Sequence, residues 1–195
     1  RSVYPKTFLK GSIAVMDLRR IRYDFPSLHR REGQRPLIYL DNAATTLKPQ
    51  CVIDKLCEFY RDYSFNVHRS THPLGERATQ EYENARQLIA DFIHAANSSQ
   101  IIFTRGATDA INLVAASYGY TFLKPGDEII IPALEHHSNI VPWQMLCEQK
   151  GCLLKIIPMN NRGELLFESF QQLLSEKVKF IALTCVKCHW NDQPG

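Results

Sequence analysis

From residue 100 onward, short β-rich apolar runs alternate with stretches of helical periodicity, and no other feature limits the fold of this chain so strongly. Residues 100–104, 128–131, 153–158 and 178–184 read as buried strands, and 108–118, 138–150 and 167–175 as the helices between them. That order predicts βαβ units, a mostly parallel sheet with flanking helices, and an α/β fold. Upstream, 37–40 is a strand-like run. Pro49 opens a helix with Val52, Ile53, Leu56 and Tyr60 on one face. A second helix over about 74–95 lines up Ala78, Tyr82, Ala85, Ile89 and Phe92, and both stripes are expected to be core. There is no internal repeat, low-complexity tract or evident interdomain linker.

With 195 residues, 45% hydrophobic and 22% charged, the chain can bury a sizeable core, so disorder and collagen-like repetition are excluded. No apolar run reaches the roughly 18–20 residues of a spanning helix, and a cytoplasmic protein without a membrane partner is expected. Net charge is +3, yet residues 1–35 hold nine Lys/Arg against three Asp/Glu. The segment reads as a solvated basic arm, without the aromatic interleaving of a nucleic-acid surface. Asp17 is placed to cap a helix over 17–24, directly after the first methionine, Met16, so 1–15 are expected to lie upstream of a native start. Residues 36–195 form the remaining domain. Cys51, Cys57, Cys147 and Cys152 follow no disulfide framework and read as reduced and structural.

In open parallel sheets ligands bind beyond the carboxyl ends of the strands, so the loops that follow strands carry the chemistry. After Thr104 comes Arg105-Gly106-Ala107-Thr108-Asp109, opening a helix; its free N–H groups and the Thr108 hydroxyl suit an anion such as phosphate. For this loop taken alone, a plain helix cap in which Thr108 or Asp109 bonds its own backbone is the favoured reading. After Ile131 comes Glu135-His136-His137-Ser138-Asn139. Adjacent histidines diverge and lack third and fourth ligands, which argues against zinc, whereas an imidazole offers a flat face to a flat cofactor. Neither a G-x-G-x-x-G nor a G-x-x-x-x-G-K-[ST] pattern occurs, and pyridoxal phosphate is the planar phosphorylated candidate that remains.

Four ordered runs carry a resemblance to a known family: 39–44 (Tyr-Leu-Asp-Asn-Ala-Ala), 67–72 (Val-His-Arg-Ser-Thr-His), 103–114, and 135–143. Over about residues 17–184 the chain resembles the Suf-type branch of the cysteine desulfurases, within the class V aminotransferase superfamily. The resemblance implies the N-terminal half of a fold-type I, pyridoxal-phosphate-dependent, homodimeric enzyme. Such an enzyme takes sulfur from L-cysteine, leaves alanine, and passes a persulfide to a sulfur-acceptor protein for iron–sulfur cluster assembly. It further implies that Gly106, Ala107 and Thr108 hold the cofactor phosphate and that His136 stacks on its ring. His68 and Arg69 would lie at the active-site mouth or a dimer contact. Ala107 departs from the threonine usual there, removing one hydroxyl.

The family's Schiff-base lysine, its pyridine-pairing aspartate and its nucleophilic cysteine have no counterpart in these residues. The chain is therefore expected to be a truncated, aggregation-prone and inactive portion of a desulfurase. Binding to an intact desulfurase is the alternative role. After Thr184 the resemblance is expected to stop at an aberrant tail, 185–195. There Cys185, Cys188 and His189 match the C-x-x-C-H pattern of haem attachment, a further and weaker metal-binding alternative. The tail can be encoded so that reading one nucleotide later gives His-Val-Ser-Asn-Val-Ile-Gly, the family's continuation, which points to a frame change.

Overall fold

The computed structural model describes residues 17–184. The C-x-x-C-H pattern, the frame change and the segment 1–15 lie outside the described residues. The chain divides between Ile101 and Ile102 into two compact units.

In the first unit Asp17 caps α1 (Leu18–Tyr23), its carboxylate accepting from the Arg19 and Arg20 amides at 3.0 and 3.2 Å. The part of the basic arm from Asp17 onward is thus built into structure. The Arg22 guanidinium donates to the Leu28 and Leu37 carbonyls at 2.9 and 2.7 Å. A short antiparallel hairpin, β1 (Arg31–Glu32) and β2 (Arg35–Pro36), turns at Gly33, whose φ of 63° lies in the left-handed region that glycine tolerates. The run 37–40 is not a strand. The local pairing is taken by the hairpin before it, and Leu40 is 90% exposed.

α2 (Gln50–Asp62) and α3 (Pro73–Phe92) follow. α3 stops three residues short of the expected end because His94 adopts φ 57° and the Ala95 amide closes back on the Ala90 carbonyl at 2.8 Å. The apolar stripes on these helices are mostly not core, which corrects the sequence expectation: Val52, Leu56, Tyr60, Tyr82, Ile89 and Phe92 are exposed. Two helices can shield one shared seam only, and no third layer covers them among the described residues. The seam is small. It holds Ala78 and the ring of Tyr63, 1% exposed, with the Arg77 guanidinium 4.1 Å from the ring centre.

The second unit contains a three-stranded parallel sheet, ordered β4 (Leu153–Ile157), β3 (Glu128–Pro132), β5 (Val178–Ile181). α4 (Ala107–Val114) runs on through a π turn, Ala115–Gly119, into α5 (Tyr120–Phe122); α6 (Val141–Lys150) leads into β4, and α7 (Phe167–Leu173) lies between β4 and β5. The central strand is buried throughout, as its unbroken Ile129-Ile130-Ile131 run predicts. The outer strands, expected to be buried, expose Leu153, Ile156 and Ile181 because each has a neighbour on one side only. Trp143, 2% exposed, anchors the core against Phe180 with ring centres 4.5 Å apart. Its indole N–H donates to Asn139 Oδ1 at 2.9 Å. Gly119 packs close here: a Cβ would stand 2.4 Å from Leu146 Cδ2, so a larger residue would have to displace that side chain.

The run 100–104 does not form the expected strand. Its start is a 3-10 turn, Ser98–Gln100, capped by Asn97. The remaining residues have no ladder partner among the described strands, so their apolar, β-branched character cannot be realised as sheet.

Candidate active site

Parallel pairing brings the carboxyl ends of β3, β4 and β5 to one edge, with Pro132 opposite Ile157 and Ile130 opposite Ile181. β4 and β5 flank β3 on opposite sides, so the chain reverses its direction of growth between β3 and β5, the kind of crevice where open α/β sheets take ligands.

The loop after β3 is locked into this crevice. Glu135, 6% exposed, accepts from the Thr184 amide at 2.6 Å and from the Thr184 hydroxyl at 2.5 Å, tying the loop to the end of the β5 segment. This carboxylate is therefore engaged in holding the loop, and no metal-binding cluster exists among the described residues. His136 follows, exposed. Its Nδ1 accepts from the Ser138 amide at 3.2 Å and contacts Ser138 Oγ at 2.8 Å, capping the 3-10 turn His137–Asn139. An Nδ1 that accepts leaves the proton on Nε2 and fixes the ring plane, while the ring faces stay clear of backbone bonding. The His137 ring meets it edge-on, centres 6.3 Å apart.

The second loop ends in an uncapped helix. Gly106 is the N-cap residue of α4 and no side chain caps the first turn. Asp109 does not take that role: its carboxylate reaches back to the Arg105 amide at 3.2 Å. The Thr104 hydroxyl bonds the Gly106 carbonyl at 3.1 Å. The amides of Gly106, Ala107 and Thr108 and the Thr108 hydroxyl make no hydrogen bond among the described residues; of the plain-cap reading only the Asp109 bond to the local backbone is present. The space where a Gly106 side chain would stand is open. A helix N-terminus with converging donors and local positive potential fits an anion. α4 also contacts the 3-10 turn His137–Asn139 that His136 caps.

In the first unit, His68 and Arg69 sit on the loop leading into α3. His68 adopts φ 66°, its amide donates to Thr79 Oγ1 at 2.9 Å, and its Nε2 meets Glu83 Oε1 at 2.7 Å. Arg69 is exposed and makes no ion pair among the described residues. Sequence reasoning missed Glu83, since a carboxylate fifteen residues away on a helix carries no local signal. Of the cysteines, Cys147 and Cys152 are buried, as structural residues should be. Burial, and then the neighbouring Cys152, push the Cys147 thiol up to about 11, and burial likewise raises Cys152, so neither is a poised nucleophile. Cys51 and Cys57 are exposed on α2.

The aminotransferase class-V family model matches residues 38–189, and the chain belongs to that family. The match continues past Thr184, where the resemblance was expected to stop. More particularly, the relatives are cysteine desulfurases. The chain is 49% identical over 174 residues to probable cysteine desulfurase 1 of Mycobacterium leprae, covering 89% of this chain and 28% of that protein. It is 50% identical over 169 residues to the cysteine desulfurase of Yersinia pseudotuberculosis serotype IB, covering 87% and 42%. Among solved structures it matches the apo cysteine desulfurase of Thermococcus onnurineus with 35% identity and a TM-score of 0.76, over 85% of this chain and 39% of that one. It matches the desulfurase CsdA of Escherichia coli with 36% identity and a TM-score of 0.71, over 86% and 41%. The chain thus spans well under half the length of these relatives.

Proposed function

We propose that the corner formed by Gly106, Ala107, Thr108 and His136 is the phosphate- and ring-holding part of a pyridoxal phosphate site, in a protein of the Suf-type cysteine desulfurase kind. The observation that carries this reading is the start of α4, left without a side-chain cap, in a helix that contacts the turn His136 caps. The donor set suits the cofactor: three amides and one hydroxyl for a phosphate, and an imidazole face for a pyridine ring. Ala107 supplies only its amide.

When bound, pyridoxal phosphate supplies an electron sink for bond cleavage at an amino acid. The chain's own residues do the positioning. The α4 amides and Thr108 hold the anionic tail. His136, its ring plane set by Ser138, limits the tilt of the ring. Glu135 keeps that loop in place through Thr184, and Asp109 holds Arg105 and so the entry to α4. On this reading the substrate is L-cysteine, the product sulfur passes to an acceptor protein for iron–sulfur cluster assembly, and the working form is a homodimer. His68 and Arg69 belong to the active-site mouth or a dimer contact. The Schiff-base lysine and the nucleophilic cysteine are not among these 195 residues, and this polypeptide alone is inactive.

The test is titration of the purified 195-residue chain with pyridoxal phosphate and with pyridoxal, followed by quenching of intrinsic fluorescence. The phosphorylated form should bind tighter, Thr108→Val should weaken it by about tenfold, the worth of one charge-assisted hydrogen bond, and His136→Ala should alter ring binding but not phosphate competition. Equal affinity for pyridoxal and its phosphate, or no effect of Thr108→Val, overturns the reading. Release of alanine from added cysteine overturns the inactivity.

A further inference from the structure

A carboxylate on α3 controls a histidine on the loop before it. His68 holds a left-handed backbone, φ 66°, a conformation that a non-glycine residue keeps only when its surroundings impose it. Those surroundings are all on α3. The His68 amide donates to Thr79 Oγ1 at 2.9 Å, and that hydroxyl donates to the Gly75 carbonyl at 2.9 Å. Ser70 packs directly on Gly75, where no Cβ fits: one built there would be 1.9 Å from Ser70 Cβ. The Tyr82 ring meets the His68 ring edge-on with centres 5.6 Å apart. The imidazole Nε2 then lies 2.7 Å from Glu83 Oε1. Glu83 is itself held, both oxygens accepting from Arg86 Nη1 at 3.1 Å, while Arg86 Nη2 donates to the Ile101 carbonyl at 3.2 Å. Burial works against the charge on Glu83, but the bonds from Arg86 and His68 outweigh it and keep the carboxyl below its usual range.

An ionised carboxylate can only accept, so the proton between these two groups sits on Nε2 of the imidazole. In the neutral ring Nδ1, which makes no hydrogen bond among the described residues, is then the lone-pair nitrogen. We propose that Glu83 is a positioning residue for His68, holding the imidazole as the Nε2-protonated tautomer and leaving Nδ1 as the ring's open acceptor. The inference rests on the reading of His68 as an active-site mouth residue, and it deepens that reading by giving the ring an orientation and a tautomer.

The test is nitrogen-resolved NMR of the histidine rings in the full 195-residue chain, at about pH 9, well above the ordinary imidazole value. His68 should show a single tautomer with a downfield Nε2–H resonance protected from solvent exchange. Glu83→Ala should abolish that resonance while the other histidine signals stay in place. Glu83→Gln, which keeps the size and one acceptor oxygen, should retain it with a smaller downfield shift, and serves should the alanine variant not fold. A proton on Nδ1 in the wild type, or an Nε2–H resonance indifferent to Glu83→Gln and Glu83→Ala, overturns the proposal. The cofactor titration of Thr108→Val does not depend on this ring, so failure of the site reading shows there and failure of the tautomer shows here.

Discussion

Both halves leave many apolar side chains exposed, but residues 102–184 gather a buried apolar cluster and residues 17–101 bury only scattered side chains. The sheet-bearing unit buries Trp143, Leu123 and the whole of β3 in one cluster, whereas the helical unit leaves Leu56, Tyr60, Leu88 and Phe92 exposed and buries Tyr63, Ala78 and Ala90. The sheet-bearing unit has helices to lay on its central strand. The helical unit has amphipathic helices whose stripes find no further layer among the described residues. Amphipathic periodicity is enough to specify a helix, while burial of its stripe requires a partner surface that periodicity does not supply. The loops follow suit: Glu135 and His136 follow a packed sheet strand, and His68 is held chiefly by hydrogen bonds with a helix.

Four experiments break or sharpen this contrast. Trp143→Ala empties the centre of the packed unit and should cost about 3–5 kcal/mol, whereas Leu56→Ala, at a half-exposed position, should stay within about 0.5 kcal/mol. Urea unfolding followed by circular dichroism measures both, and equal losses would erase the distinction. Gly75→Ala should cost about 1–3 kcal/mol, against the usual helix preference for alanine, because Ser70 occupies the space. Ser70→Gly should return part of the loss in a thermal melt.

A smaller effect concerns Glu128, buried in β3, whose carboxyl is held below the usual carboxylate range first by Lys155, at 2.9 Å, and then by the Ser175 hydroxyl. A depressed carboxyl contributes stability that is complete above its unfolded value and disappears as pH falls through its folded value. Urea midpoints measured from about pH 5 down to about pH 3 should therefore fall more steeply in the wild type than in Glu128→Gln. Parallel slopes would remove Glu128 from the account. The smallest effect compares two helix ends. α6 closes on Gly151 at φ 69° and α3 on His94 at φ 57°, with the same six-residue return bond, Cys152 to Cys147 and Ala95 to Ala90. His94→Gly removes a left-handed side chain and should raise stability by about 1 kcal/mol; no gain would mean the imidazole compensates locally.

Much of this was legible beforehand, for identifiable reasons. β3, β4 and β5 follow apolar runs bounded by turn residues, and α1 follows a capping aspartate. Thr108 and His136 fall on loops after apolar runs, where parallel topology gathers chemistry. What was not legible depended on partners distant in sequence. Residues 100–104 have strand-forming side chains but no adjacent strand. The hairpin at 31–36 is too short to show periodicity. The π turn Ala115–Gly119 shares its apolar pattern with an ordinary helix, and the Glu83–His68 and Glu135–Thr184 contacts join positions that nothing in the local pattern connects.

Local physics in the sequence thus determined the longer helices and which apolar runs were able to become strand, where α1 and α4 begin, and which loop residues are chemically able to hold an anion or face a ring. Only tertiary structure decided which stripes are buried, which apolar run joins the sheet, and which carboxylate orients which partner. Secondary structure depends on neighbours a few residues away, whereas burial, ladder pairing and side-chain clamps depend on surfaces that chain folding alone brings together.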